Sequence, residues 1–330
     1  MTRIERKADP EEGAGRASRR PREASLLGTD AALAKRHDGA TGRDVIARYY
    51  SLTKPGVLYA NVLTAVAGFL FGSRGAIDLA LLLAVTAGTT LIVASATVLN
   101  NVLDRDIDQR MARTRTRATV SGTITAAHAV LYSGVLGLTG TTLLLLFASP
   151  LVLAIGLAGF VVYVWLYGAL AKRRSYHGTL VGSLSGAAPI LAGYAAAAGG
   201  IDTAAALLFA ALFLWQMPEF YAIAIYRRRE YAAAGVPVIT VVKGVRAAVR
   251  RIVVYTVLYA VCVLLLGVLG ETGLVSTMVL SAVDATWVAV ALTGLTARVD
   301  PDVWARRMFR FSLLAILVLC LMIGIDALLP

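Results

Sequence analysis

The sequence predicts an all-α fold, a polytopic membrane bundle of about nine transmembrane helices with the N-terminus inside and the C-terminus outside. Three observations predict it. The 330 residues are 58% hydrophobic and only 16% charged, and a mean hydropathy of +0.72 lies beyond the range of ordinary soluble domains. The apolar residues fall in runs near 56–73, 79–101, 126–147, 150–171, 178–198, 204–226, 252–270, 274–297 and 308–329, each close to the roughly 17–25 residues that a helix needs to cross a bilayer. Finally, the basic residues collect in alternate gaps between those runs.

The elements follow in order. Residues 1–50 are rich in Arg, Asp, Glu, Gly and Ala and poor in large apolar residues, so they read as a disordered cytosolic extension ahead of a transmembrane domain at 51–330. They lack the apolar core of a signal peptide, and Glu5, Asp9, Glu11, Glu12 and Glu23 argue against an Arg-rich targeting peptide. The first run is short enough to be tilted or partly interfacial. The gap after the second run carries Arg105, Arg110, Arg113, Arg115 and Arg117, and the gap after the fourth carries Lys172, Arg173 and Arg174. The gap after the sixth carries Arg227, Arg228, Arg229, Lys243, Arg246, Arg250 and Arg251, and the last holds Arg298, Arg306, Arg307 and Arg310. The remaining gaps hold one basic residue, Arg74, which sets the orientation with these loops in the cytoplasm. Because the formal charge of +12 sits in short inter-helix gaps, it points to a membrane and not to nucleic acid. Cys262 and Cys320 lie inside apolar runs and read as small buried hydrophobes. Small residues, as in Gly182-Ser183-Leu184-Ser185-Gly186-Ala187-Ala188-Pro189, suit close helix packing.

Two polar constellations interrupt this pattern. Asn100, Asp104 and Asp108 are spaced by four residues at the end of the second run, so on a helix they share one face. Hard oxygen ligands at a membrane rim suit Mg²⁺, with phosphate on its other side, and Arg110, Arg113 and Arg117 follow to hold phosphate oxygens. Asp106 points away from this column. The plain alternative is a charged helix end in water with its aspartates paired to nearby arginines. The second constellation is Trp215-Gln216-Met217-Pro218-Glu219 through Tyr226 and Glu230. Glu219, Tyr226 and Glu230 would share a face if the helix continued, and Pro218 is placed to kink it. Glu219 lies within the apolar run and is a functional candidate on that ground. Lys243 reads either as a point charge for phosphate or as a positive-inside residue. The equivalent gaps of helices one to four and five to eight both carry a polar group, which places a site between two halves. Tyr59, Tyr163, Trp165, Tyr167, Tyr194, Trp215, Phe220 and Tyr221 could stabilise a carbocation or anchor the protein at the interface. His128 and His177 are the only histidines of the transmembrane stretch, and His177 reads as a ligand for haem iron or as a satisfied polar helix end.

The segment Asn100-Asn101-Val102-Leu103-Asp104-Arg105-Asp106-Ile107-Asp108-Gln109-Arg110-Met111-Ala112-Arg113-Thr114 resembles the first aspartate-rich motif of the haem O synthases (protohaem IX farnesyltransferases), a branch of the UbiA-type intramembrane prenyltransferases. The resemblance runs through Thr53-Lys54-Pro55-Gly56, Lys172-Arg173-Arg174-Ser175, Gly178 to Pro189, Trp215-Gln216-Met217-Pro218, Val241-Val242-Lys243-Gly244 and Trp304-Ala305-Arg306-Arg307. It implies a helical bundle around a central cavity capped by two cytoplasmic loops in the cell (inner) membrane. It further implies Mg²⁺ as cofactor and farnesyl diphosphate and protohaem IX as substrates, with haem A synthase or cytochrome oxidase assembly as further partners. Asn100, Asp104, Asp108 and Glu230 carry over as metal ligands, and Asp104, Asp108, Arg113 and Lys243 as catalytic. Asn100, Arg117, Lys172, Arg173 and Glu230 are expected to bind substrate, as are Glu219 and Tyr226 from the spacing of the second constellation. The chain departs from the family pattern at Glu219, where the family has His, at Ile190, where it often has Pro, and at Ile239-Thr240, where it commonly has Leu-Pro. The implied reaction is farnesyl transfer to a haem vinyl group. A related membrane prenyltransferase acting on an aromatic quinone precursor, and a transporter with midplane polar residues, are the other readings.

Overall fold

The computed structural model describes residues 41–296 and 299–330. The expected N-terminal extension therefore lies mostly outside the described residues, as does Arg298. The stretch Gly42–Leu52 within it is helical. It alternates Arg43 and Arg48 with Val45, Ile46, Tyr49 and Tyr50, a mixed composition that supports an amphipathic helix where disorder was expected. Residues Arg48–Pro330 form one compact unit.

Among the described residues, nine helices are long and apolar enough to cross a membrane. They are α1 (Pro55–Ser73), α2 (Leu79–Leu103), α3 (Ala126–Phe147), α4 (Pro150–Arg174), α5 (Gly178–Ala198), α6 (Thr203–Tyr226), α7 (Val245–Val268), α8 (Leu274–Thr293) and α9 (Pro301–Leu328). The expected runs and these helices agree, except that α7 and α9 each begin seven residues before the apolar stretch does. The charged first turns of both, with Arg246, Arg250 and Arg251 in one and Arg306 and Arg307 in the other, extend the helix past the apolar stretch. Hydropathy marks burial in lipid, whereas backbone hydrogen bonding continues into water.

Local sequence explains where the helices start. Asp78, Thr125, Ser149, Asp202 and Asp300 each accept hydrogen bonds from first-turn backbone N–H groups of α2, α3, α4, α6 and α9, satisfying donors that have no partner inside the helix. Pro55, Pro150 and Pro301 sit in first turns, where the missing N–H costs nothing. Pro218 lies inside α6 without ending it. Within α4, Val162–Ala171 winds as a π-helix, and the Lys172 N–H donates to the Tyr167 carbonyl five residues back.

In the unit Arg48–Pro330, α6 is the most buried helix, and its Leu208, Leu212, Tyr221 and Ile225 join Tyr259, Trp287 and Leu319 in the main core. Helices α1 and α5 approach backbone to backbone. A Cβ at Gly68 would lie 2.2 Å from the Ile190 carbonyl oxygen, and one at Gly193 would lie 2.0 Å from that of Ala65, so only glycine permits this crossing. Ser95 of α2 and Ser133 of α3 exchange hydrogen bonds of 2.8 to 2.9 Å. The two polar loops expected to face each other are joined. Ile107 and Met111 after α2 pack with Ala234 and Val236 after α6, flanked by Tyr231 and Val238. Burying this cluster holds the loops at one end of the bundle.

Candidate functional site

The aspartate column starts from the C-terminus of α2. The helix ends at Leu103, and Asp104 takes φ −87° and ψ 3°, in the sparsely occupied bridge region between the α and β basins. A short helix, Arg105–Gln109, follows. Hydrogen bonds nevertheless run from the Asp104 N–H to Asn100 O at 2.9 Å and from the Asp108 N–H to Asp104 O at 2.8 Å. The four-residue spacing thus keeps its single face through the break, and Asn100, Asp104 and Asp108 are all buried.

Each member of the column meets a cation from elsewhere in the sequence. Lys172 Nζ lies 2.5 Å from Asp104 Oδ2, and Arg117 Nη1 lies 2.6 Å from Asp108 Oδ2. Lys54 Nζ donates to Asn100 Oδ1 at 3.1 Å. The aspartates are therefore paired, as in the plain reading of a charged helix end, but they are buried and not in water. Two buried carboxylates against three cations leave the cluster net positive. Asp104 Oδ1 and Asn100 Nδ2 are buried with no hydrogen-bond partner among the described residues, a costly state unless a further group meets them.

Lys54 was not singled out from the sequence. It reaches Asn100 because its loop is tied to α2. Thr97 Oγ1 donates to Thr53 O at 2.9 Å, and Asn101 Nδ2 donates to Leu52 O at 2.6 Å. Lys54 itself sits at φ 53° directly before Pro55, a backbone state that is uncommon for a residue other than glycine. Burial, followed by the neighbouring Arg117 and Lys172 charges, pushes its ammonium down to about 7, while Asp104 and Asp108 pull it the other way. The readable signal was the Thr53-Lys54-Pro55 stretch.

The other expected residues divide. Arg173 grips the off-column Asp106 with two hydrogen bonds of 2.7 and 2.8 Å and caps the Leu103 carbonyl. That grip holds the Asp106 carboxyl down to about 2. Arg173 is thus engaged in shaping the loop. Arg113 is exposed and lies in electrostatic range of Tyr231, as does Lys172. Glu230 pairs with Arg227 at 3.2 Å. The single continuous helix on which Glu219, Tyr226 and Glu230 were expected to share a face is interrupted, because α6 ends at Tyr226 and Arg227 turns at φ −108° and ψ 14°. Tyr226 packs edge-on against Phe309, with Arg227 and Arg306 over its ring. Glu219, half-buried on α6, has no hydrogen bond or ion pair among the described residues. Lys243 is not brought to the column, for its Nζ lies over the Tyr176 ring at 5.8 Å. His128 shares a hydrogen bond with Thr125 at the start of α3, and His177 stacks on Tyr176 with centroids 4.1 Å apart. Cys262 and Cys320 are free. Asp284 was also missed. It is buried in the middle of α8 with Oδ2 unpartnered, as are Tyr259 Oη and the Trp287 indole N–H.

Two clefts lie apart from the column. One of about 310 Å³ between α2, α3 and α4 is lined by Ser95, Ser133 and Phe160, among others. One of about 220 Å³, at the end of α1 away from Lys54, is lined by Phe71, Arg74 and Ile323, among others. Among the described residues no three His, Cys, Asp or Glu side chains converge on one point. The column offers hard oxygen donors, and the orphaned Asp104 Oδ1 fits a small divalent cation.

Comparisons with known proteins bear on the family and the fold. A sequence profile of the UbiA prenyltransferase family matches residues 61–314. The protoheme IX farnesyltransferase of Pectobacterium carotovorum subsp. carotovorum is 43% identical over 286 residues, covering 87% of this chain and 97% of that protein. That of Escherichia coli O1:K1 is 43% identical over 286 residues, covering 87% and 96%. Among solved structures, one of digeranylgeranylglyceryl phosphate synthase superposes with a TM-score of 0.72 at 20% identity, covering 86% of this chain and 98% of that one. A UbiA homolog from Archaeoglobus fulgidus bound to GPP and Mg²⁺ superposes with a TM-score of 0.62 at 15% identity, covering 84% and 99%. At such identities the structural likeness speaks for the fold alone, while the sequence matches speak for the family. This chain, a multi-pass helical membrane protein, therefore belongs to the UbiA prenyltransferase family and, within it, to the protoheme IX farnesyltransferases.

Proposed function

We propose that the protein transfers a farnesyl group from farnesyl diphosphate to a vinyl group of protohaem IX, giving haem O. The observation that carries the donor half is the buried Asn100–Asp104–Asp108 column with Asp104 Oδ1 unpartnered, ringed by Lys54, Lys172 and Arg117. The protoheme relatives at 43% identity support the acceptor half.

Asn100, Asp104 and Asp108, joined by Glu230 from the facing loop, would hold Mg²⁺, which supplies charge neutralisation for the leaving diphosphate. Lys172, Arg117, Lys54 and the exposed Arg113 bind and orient the diphosphate oxygens where negative charge grows. The bond from the farnesyl C1 to oxygen breaks, and its electron pair leaves with the diphosphate. The vinyl carbon of the acceptor attacks C1. Water then captures the cation left on the neighbouring carbon and releases a proton, leaving a hydroxyethyl group. The surrounding apolar helices keep water from the allylic cation until the carbon–carbon bond has formed. The basic loops support a site on the cytoplasmic side of the inner membrane, where a soluble diphosphate would arrive.

The test is direct. The full chain in liposomes, given farnesyl diphosphate, protohaem and Mg²⁺, yields haem O by mass spectrometry, and chelation of the metal stops it. Farnesyl found only on some other acceptor overturns the reading. The unpartnered Glu219, where the resembled family has His, is the one observation that favours an aromatic acceptor of another kind. If that reading holds, wild-type protein makes no haem O and Glu219→His creates the activity.

A further inference from the structure

A second charged cluster lies outside the aspartate column. Arg251, one helical turn and a half into α7, sets its guanidinium carbon 5.1 Å from the centre of the Tyr176 ring. Lys243, just before α7, sets its Nζ 5.8 Å from the same ring. Tyr176 in turn stacks on His177, and Tyr221 of α6 packs edge-on against Tyr255. Tyr221 is 1% exposed and its hydroxyl is an unpartnered buried polar atom. Arg251 lies in its electrostatic range without forming a hydrogen bond of ordinary geometry.

The cluster is unbalanced. Among the described residues, neither Lys243 nor Arg251 forms an ion pair, and neither do Arg246 and Arg250 beside them. The first turn of α7 has no side-chain cap, so its backbone N–H groups add to the positive field. Among the described residues no carboxylate pairs with these cations, which sets the cluster apart from the column. Two cations around one aromatic ring, with a buried hydroxyl beside them, suit a metal-free ligand that is planar and carries two carboxylates.

We infer that Arg251 and Lys243, with Tyr176 and Tyr221, dock the carboxylates of the acceptor, and so orient a planar dicarboxylate in the loop end of the bundle. This deepens the haem reading and rests on it, since the two propionates of protohaem are such a pair. It also moves Lys243 from the diphosphate to the acceptor.

The experiment is an absorbance titration of protohaem and of its dimethyl ester into the full chain in neutral-lipid vesicles, wild type against Arg251→Gln and Lys243→Gln. Each variant is expected to weaken protohaem binding by about 10–100-fold, the effect of losing one charge-assisted hydrogen bond. Binding of the dimethyl ester stays equal in all three proteins, Arg251→Lys restores part of the loss, and farnesyl diphosphate binding stays within about two-fold. Protohaem binding unchanged in both variants overturns the dock, as does an equal loss for the ester, which would signal disturbed packing. A loss seen only when anionic lipid is added to the vesicles also overturns it, because the cations would then serve headgroups. Wild-type protein that binds no protohaem overturns the acceptor assignment as well. A wild type that binds and farnesylates protohaem just as the variants do overturns the dock alone.

Discussion

The two polar loops at one end of the bundle are joined by a shared apolar cluster, yet they handle charge in opposite ways. After α2, the column acids Asp104 and Asp108 are buried and each meets a cation, Lys172 from far along the chain and Arg117 from the same loop. After α6, the acid Glu230 is half-exposed and paired to a neighbour three residues away, and among the described residues the later cations Lys243, Arg246, Arg250 and Arg251 form no ion pair. A long-range buried pair is costly to break and fixes geometry, whereas a local exposed pair is weak and exchangeable. On the proposed function, the first loop would hold a cation and a diphosphate in one place, and the second would lend a ligand and receive an anion.

The strongest way to break this contrast is Asp104→Ala combined with Asp108→Ala. It strands Lys172 and Arg117 and removes the proposed metal ligands, and the initial rate of farnesyl transfer is expected to fall by about 10³-fold or more. Undiminished turnover would end the metal role. Glu230→Gln comes next, with the Mg²⁺ concentration for half-maximal rate expected to rise about ten-fold. A Mg²⁺ curve that does not move would show that the first loop holds the metal by itself, sharpening the asymmetry. Thr97→Val with Asn101→Leu frees the Lys54 loop from α2. Each lost hydrogen bond is expected to lower stability by about 1 kcal/mol, visible as an earlier thermal transition together with a raised KM for farnesyl diphosphate. The smallest effect belongs to Arg173→Gln, whose partner Asp106 is exposed, so the stability change stays below about 1 kcal/mol after solvent screening. The folded carboxyl of Asp106 is held below its ordinary 3.8, at about 2. The difference between wild type and variant is accordingly present above about pH 4, and is lost as the pH falls towards 2.

Much of this was legible beforehand because the signals were local. Nine apolar runs, alternating basic gaps and a four-residue acid spacing each concern neighbours in the chain. What could not be read was where distant side chains meet. Lys172, directly before Asp106's partner Arg173, gives no hint in spacing or composition that it reaches Asp104. Lys243 looked like a phosphate ligand by motif, and only the fold shows it over Tyr176. The helix expected to run from Glu219 to Glu230 is interrupted by a stop at Tyr226, and no proline or glycine marks that stop in the sequence. Asp284 is a different case. An ionisable residue in the middle of an apolar run is a signal in its own right, and it was there to be read.

The π-helical stretch of α4 carries a consequence of its own. A π-helix turns less per residue than an α-helix, so ten such residues change the rotational phase of everything after them. Lys172 and Arg173 are adjacent, yet one enters the buried column at Asp104 while the other clasps exposed Asp106 outside it. The phase set between Val162 and Ala171 decides which cation faces inward. Deleting one residue there would leave charge, hydropathy and span length nearly untouched, but would dial Lys172 off its carboxylate. In this protein the electrostatics of the loop end are tuned by the winding of a helix inside the membrane.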